Sequence, residues 1–375
     1  MRQFTRRELL NAAAAGTGTL AFGAAAGAQE GKRRVRVAAV QMHATLGEVD
    51  ANLENAERWA RLALREGAQW IVLPEFFTTA IAIHPSRLVN AYRPLDGEPM
   101  QLLKTLAREG QAYVGGSFLA RSGADVFNTF VLATPDGQVF THDKDFPTSN
   151  IESSVYAGGE DDEYVKELSR RGAKVEQTTP IPSRRENIKS AVFPLAGGPA
   201  VGAALCWEQC RLRTARRLTG RVDLILAASG WPFGGSDVSR ANPVAGQDVL
   251  IARNGVQEAP RRLGRMVGAP VVHANLVGDV WTAGSGARGD RLLRFAGESQ
   301  IVDASGRTLA RRAYAEGEGI VIADLEIGRV AATETIPTDG SWTPEVPTDS
   351  QTGWAMSGAV GRTEYLTQTR PRRNS

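Results

Sequence analysis

"AVGAALCWEQCRLRTARRLTG" (residues 200–220) carries both cysteines of the chain, Cys206 and Cys210. Its first residues are small and apolar without alternation, as in a strand buried on both faces. From Glu208 onward the pattern turns helical and stops at Gly220, a residue that tolerates the left-handed conformation closing a helix. A buried strand feeding a helix is the unit of an α/β fold. Cys206 stands at the turn between the two. Backbone N–H groups at a helix start favour negative charge, so this position is expected to lower a thiol's pKa and to offer donors to an oxyanion. A cysteine there is either a small core residue or a nucleophile.

The same style recurs on both sides. "VRVAAVQM" (35–42) alternates as a strand, and "VDANLENAERWARLALREG" (49–67) is a helix that Asp50 can cap and Gly67 stops. "WIVLPEFF" (70–77) runs a strand into a loop at Pro74, and "MQLLKTLAREG" (100–110) is a helix followed by the strand "AYVGGSF". "NTFVLATPDGQVFTHDK" (128–144) reads as a hairpin around Pro135-Asp136-Gly137. After residue 220 come a strand (222–229), a helix from about Val244 to Ala259, a strand (269–275), a hairpin (299–312) and a last strand (319–328). Strands alternating with helices and interrupted by hairpins predict a mixed sheet covered by helices. Beyond Gly328 a Pro/Thr/Ser-rich run predicts an irregular tail over 329–375.

The composition, 42% hydrophobic and 23% charged, supports a substantial core. The net charge of +3 is concentrated in arginines at the two ends, which leaves the body at about −2 and gives nucleic acid no basic face. Residues 1–28 read as an export signal: a basic start, a mild apolar stretch from Ala12, and Ala26-Gly27-Ala28 as a cleavage site. "TRRELL" resembles the twin-arginine signal of proteins exported folded, with Leu9 and Asn11 departing from it. The mature chain is expected in the periplasm or outside the cell, with no stable hold on the membrane.

Several chemistries are excluded. There is no G-x-S-x-G elbow, and His43, His84, His142 and His273 lack metal-ligand spacing. Gly284–Gly289 matches G-x-G-x-x-G but neither follows a strand nor opens a helix, and "GAQEGK" is one residue short of a P-loop. Two places then join Cys206. Glu75 follows Pro74 at the carboxyl end of a buried strand, where α/β sheets place ligands and where desolvation raises a carboxylate toward the range of a general base. Lys144 ends another strand, with Glu152 eight residues on. An ammonium there can stabilise a thiolate and an oxyanion; otherwise Glu75 and Lys144 are ordinary solvated loop charges.

Glu, Lys and Cys in that order, each at a strand's carboxyl end, resemble the nitrilase superfamily of carbon–nitrogen hydrolases. "LPEFF" is similar to its glutamate motif, "HDKDFPT" to its lysine motif and "CWEQCR" to its cysteine motif, with "ASGWPF" and "VVHAN" in the supporting frame. The resemblance covers residues 33–328. It implies a four-layer α-β-β-α sandwich with mixed sheets, paired into homodimers or larger homo-oligomers. It also implies roles: Cys206 as nucleophile, Glu75 as base and acid, Lys144 with the Trp207 N–H as oxyanion site, and Glu152 as the second glutamate. Thiolate attack on a nitrile or amide carbon then proceeds through a covalent intermediate to a carboxylic acid, with no metal or organic cofactor. Trp231 and Phe233 fall near the site by the same analogy and imply an apolar pocket.

Within the family, "KDFPTSNIESSVYAGGED" (144–161) is closest to true nitrilases. Three departures stand out: Asp145-Phe146 for an apolar pair, Ser153 for an arginine, and Gln209 for an asparagine. Asp145 is expected to weaken the field of Lys144, and Gln209 to alter the turn beneath Cys206. Cys210 does not carry the resemblance and reads as a helix-face packing residue. A nitrile hydrolase is the leading reading, an amidase or carbamoylase with the same triad the alternative, and a non-catalytic exported binding protein the third. The C-x-x-x-C spacing speaks against a thiol–disulfide oxidoreductase.

Overall fold

The structure is a computed structural model that describes residues 33–81, 88–175, 181, 191–234, 243–282, 291–340 and 348–370. The export signal expected over 1–28 and the glycine loop 284–289 lie outside the described residues. In chain order the elements are β1 (Arg33–Met42), α1 (Val49–Arg65), β2 (Trp70–Val72), β3 (Arg93–Pro94), α2 (Glu98–Gly110), β4 (Tyr113–Ser122), β5 (Asp125–Ala133) and β6 (Val139–Asp143). Next come α3 (Ser149–Ser153), α4 (Asp161–Arg170), β7 (Val192–Pro194), β8 (Ala200–Leu205), a 3₁₀ turn (Cys206–Cys210) and α5 (Leu212–Leu218). The remainder holds β9 (Leu224–Ser229), β10 (Pro232–Gly234), α6 (Pro243–Val267), β11 (Val271–Thr282), β12 (Arg291–Ala296), β13 (Ser299–Val302) and β14 (Thr308–Arg312). The chain closes with β15 (Gly319–Ile327) and α7 (Thr348–Glu364), which continues as a π-helical turn, Tyr365–Thr369.

Two sheets form around β1 and β11. On one side β6, β5, β4, β2, β1 and β15 are neighbours; on the other, β7, β8, β9, β11, β13 and β14. β1 pairs with β15 along its length, antiparallel from Arg33 to Gln41. Only Gln41 and Met42 reach across to Asn275 and Leu276 of β11, which stitches the two sheets together at one end.

Side-chain alternation decides the layers, because successive residues of a strand face opposite sides. Val37, Ala39, Trp70, Val72, Phe130 and Leu132 of the first sheet share one core with Val201, Ala203, Leu205, Leu224, Leu226, Val272 and Ala274 of the second. The intervening residues Ala38, Val40 and Ile71 pack on Ala56, Ala60 and Ala63 of α1 and on Leu103 and Leu106 of α2. On the far side, Ala204, Ile225, Ala227 and Val271 pack on Leu212, Ala215 and Leu218 of α5 and on Leu263 and Met266 of α6. Helices, sheet, sheet, helices: the fold is the expected four-layer α-β-β-α sandwich. Burial on both faces explains why these strands read as apolar runs rather than strict alternations.

Three details differ from the sequence reading. The helix after Cys206 is broken, since Arg211 is extended between the 3₁₀ turn and α5. Asp50 lies within the first turn of α1 and makes no side-chain cap; Glu48 holds the cap position. Asn52 secures that end instead, accepting from the Thr45 N–H at 2.8 Å and donating to the Thr78 carbonyl at 2.9 Å. The tail is not wholly irregular, for α7 and its π-turn occupy 348–369. Its buried Ala355 and Ala359 alternate with exposed Met356 and Val360, so no single apolar stripe marked it as a helix.

Candidate active site

β1, β2, β8, β9 and β11 run parallel, and two successive reversals through β5 return β6 to the direction of β2. Their carboxyl ends therefore share one edge, where α/β sheets bind ligands. Glu75 lies three residues past β2, Lys144 directly past β6 and Cys206 directly past β8. All three are buried, Glu75 and Cys206 completely.

The charged groups form one chain. Lys144 Nζ donates to Glu75 Oε1 at 2.9 Å and to both oxygens of Glu152 at 2.8 and 2.9 Å. Asn128 Nδ2 donates to Glu75 Oε1 at 2.7 Å, and the Gly230 N–H to Oε2 at 2.8 Å. Glu152 also accepts from the Thr148 N–H at 2.6 Å and from the Tyr156 hydroxyl at 2.5 Å. Burial pushes the Glu75 carboxyl above the ordinary range, and the Glu152 charge adds to this while Lys144 opposes it. For Lys144, burial alone would lower the pKa. Glu152 and Glu75 outweigh that and hold the ammonium raised and charged.

Cys206 takes φ = 48°, a left-handed conformation that a residue with a Cβ enters at a cost of about 1–3 kcal/mol. Glu208 and Gln209 hold the turn in place. Glu208 accepts from the Leu205 N–H at 2.8 Å and from the Asp145 N–H at 2.7 Å, so one carboxylate ties the residue before Cys206 to the residue after Lys144. His142 Nε2 lies 3.0 Å from Glu208 Oε2. Burial alone would lower that imidazole, but the neighbouring carboxylate outweighs it and holds His142 raised. Gln209 Nε2 reaches Cys206 O at 3.3 Å and Ser229 Oγ at 3.0 Å, so this departure braces the turn from β9.

The expected lowering of the Cys206 pKa is overturned. Burial and the Glu75 charge raise the thiol well above its usual value, and the Lys144 charge and the Trp207 N–H only partly offset them. Cys210 is also free and buried, and burial pushes its thiol up to about 12, against the smaller opposing charges of Arg211 and Arg262.

The expected effect of Asp145 on Lys144 is likewise corrected. Both Asp145 oxygens lie 3.0 Å from Arg217 Nη1, with Arg213 at 3.6 Å, so the extra carboxylate meets its own cations. His142, Asp145 and Glu208 offer three donor atoms within 4.8 Å of one another. Arg217, His142 and two backbone N–H groups already take up the carboxylates, which makes this a charge-balanced core cluster. Arg217→Met is expected to destabilise the fold by about 3 kcal/mol, because it strands a buried carboxylate. Adding Asp145→Leu should recover most of that loss in urea unfolding. A double variant as unstable as the single one would refute the pairing argument.

Trp231 is buried, and its ring centroid lies 4.4 Å from that of Trp207, which also contacts Trp354 of α7 at 4.9 Å. The side chain of Phe233 lies outside the described residues. Sequence reasoning missed Asn128, Tyr156, Glu208 and Trp354 as parts of the site. Asn128 had a legible signal, an amide in the middle of the fully buried β5. Glu208 sat inside the cysteine motif without an assigned role.

Comparison with known proteins identifies the family and the fold. The chain is 32% identical over 105 residues to a nitrilase of Pyrococcus abyssi, covering 28% of this chain and 40% of that protein. It is 32% identical over 114 residues to an omega-amidase of Danio rerio, covering 30% of this chain and 40% of that one. These alignments span less than half the length of either relative. A CN-hydrolase superfamily protein of Xanthomonas campestris has the same fold, with a TM-score of 0.53 at 19% identity, over 80% of this chain and 92% of its own. The family model for carbon-nitrogen hydrolases matches residues 36–335. With that match over most of its length, the chain belongs to the carbon-nitrogen hydrolase family.

Proposed function

We propose that the protein hydrolyses a small nitrile to a carboxylic acid and ammonia, with Cys206 as nucleophile. The observation that carries this reading is the buried chain Glu75–Lys144–Glu152, whose charges all act on the Cys206 thiol. Because the thiol is raised, attack requires a base to take its proton as the C–S bond forms, and Glu75 is the buried carboxylate tuned upward for that task. Lys144 and the Trp207 N–H stabilise the negative charge that develops on the substrate nitrogen or oxygen. Protonated Glu75 gives the thiol's proton to the nitrile nitrogen, leaving a thioimidate on Cys206. A first water, deprotonated by Glu75, adds to that carbon. The tetrahedral adduct collapses to the thioester as its hydroxyl proton and the Glu75 proton pass to the nitrogen, which leaves as ammonia. A second water, deprotonated by Glu75, then attacks the thioester, and the acid leaves as the thiol regains the proton from Glu75. Glu152 keeps Lys144 oriented and charged.

An amide enters the same cycle at the tetrahedral stage, and the equal identity to an omega-amidase favours this as the second reading. Ammonia release from matched nitriles and amides separates them. Turnover of nitriles supports the first reading, turnover of amides alone the second, and release from neither refutes both in favour of a non-catalytic binding protein. Export through the leader at 1–28 and assembly into homo-oligomers belong to the same reading. The amino-terminal sequence of exported material and the mass in solution test them.

A further inference from the structure

Residues 348–370 lie beyond the family match at 36–335, yet they reach the site. Arg362 and Asp161, both buried, pair at 3.0 and 2.7 Å. The Tyr365 hydroxyl accepts from the Val126 N–H at 3.1 Å and donates to Asp125 at 2.9 Å. Thr369 Oγ1 donates to the Ser154 carbonyl at 2.9 Å. α7 closes on α3 through Gly361, where a Cβ would stand 2.1 Å from Ser153 Oγ and 2.9 Å from Asn150 Cα. The small Ser153, one of the departures in the sequence, is what leaves room for this approach. A five-residue helix such as α3 cannot hold itself, and Glu152 is borne on it, so the docked segment braces the partner of Lys144.

The same helix delivers Trp354. Cys206, Cys210, Trp231, Val256, Ala259 and Ala296 form a closed apolar cluster, and its half-buried members are Trp207 and Trp354. Among the described residues of this cluster, those two indoles are where it meets solvent. Trp354 also lines an open cleft shared with Pro147, Thr148 and Arg211.

We propose that Trp354 is a specificity-determining residue. With Trp207 it walls the approach to Cys206 and selects substrates whose acyl or nitrile carbon bears an aromatic group over small aliphatic ones. The physical basis is ring stacking, which an indole offers to an arene and not to a methyl group. This inference rests on the hydrolase reading, so its test includes a measurement independent of turnover.

In that test, Cys206 is alkylated by phenacyl bromide and by iodoacetamide, its sulfur displacing the halide, and the adduct is followed by peptide mass. The ratio of the two rates is expected to fall about tenfold in Trp354→Ala and to return largely in Trp354→Phe. The ratio of kcat/KM for aromatic over aliphatic substrates should fall in parallel. Gly361→Ala, which forces α7 off α3, should lower both ratios. Gly353→Ala, with nothing within 4 Å of its added Cβ, should leave them at the parental value. A parental ratio in Trp354→Ala, or equal slowing of both reagents, overturns the proposal. A parent that turns over nothing while the alkylation ratio still falls refutes the hydrolase reading and leaves the wall standing.

Discussion

Cys206→Ala is expected to abolish ammonia release from every substrate the parent accepts, by roughly four orders of magnitude or more, because no other group supplies the covalent route. Alanine keeps the Cβ at φ = 48°, so the turn keeps its strain and its braces from Glu208 and Gln209. Folding should be close to parental, and the loss is then chemical. Cys210→Ala is the control. Its thiol is buried among apolar neighbours and touched by none of the catalytic carboxylates, so activity should stay within about twofold of the parent. Equal losses in the two variants, measured as kcat/KM on material of matched stability, would sink the assignment of the nucleophile.

Glu75→Gln is expected to cost about three orders of magnitude in kcat/KM, since a raised thiol cannot ionise without its base. The amide fills the same volume and can still accept from Asn128 and Lys144. Its NH₂ then faces the Gly230 N–H, a lost hydrogen bond worth about 1–3 kcal/mol of stability. The pH profile adds a signed check. Glu75 must be deprotonated to act, and its pKa is raised, so parental activity should rise with pH through a limb above the ordinary carboxylate range. Lys144 is raised as well and stays cationic across that limb. In Glu75→Gln the limb should vanish from whatever activity remains. A persisting limb assigns the base to another group.

A mixed sheet covered by helices was legible because period and burial are local properties, while the four-layer arrangement came only with the family resemblance. Apolar runs such as 200–205 and 222–229 mark strands covered on both sides, and glycines such as Gly220, at φ = 72°, mark where helices stop. The gathering of Glu75, Lys144 and Cys206 was legible for a related reason: each follows a strand end, and parallel strands bring such ends to one edge. Nothing local distinguishes a thiol whose pKa falls from one whose pKa rises. That sign depends on the distance to Glu75 and on complete burial, which summed neighbours decide. Asp145 shows the same limit, since its partner Arg217 is 72 residues away and no spacing rule links them.

The sequence pattern supplied the strand and helix order, a mixed sheet covered by helices and three residues at strand ends. The family resemblance added the sandwich of layers and the roles of those residues. Only the tertiary structure decided their protonation, the bracing of the Cys206 turn by Glu208 and Gln209, and the return of α7 onto α3 with Trp354 beside Trp207. The reason is physical. Secondary structure follows from patterns within a few residues, whereas electrostatic fields and close helix contacts depend on groups far apart in the chain that folding alone brings within a few ångströms.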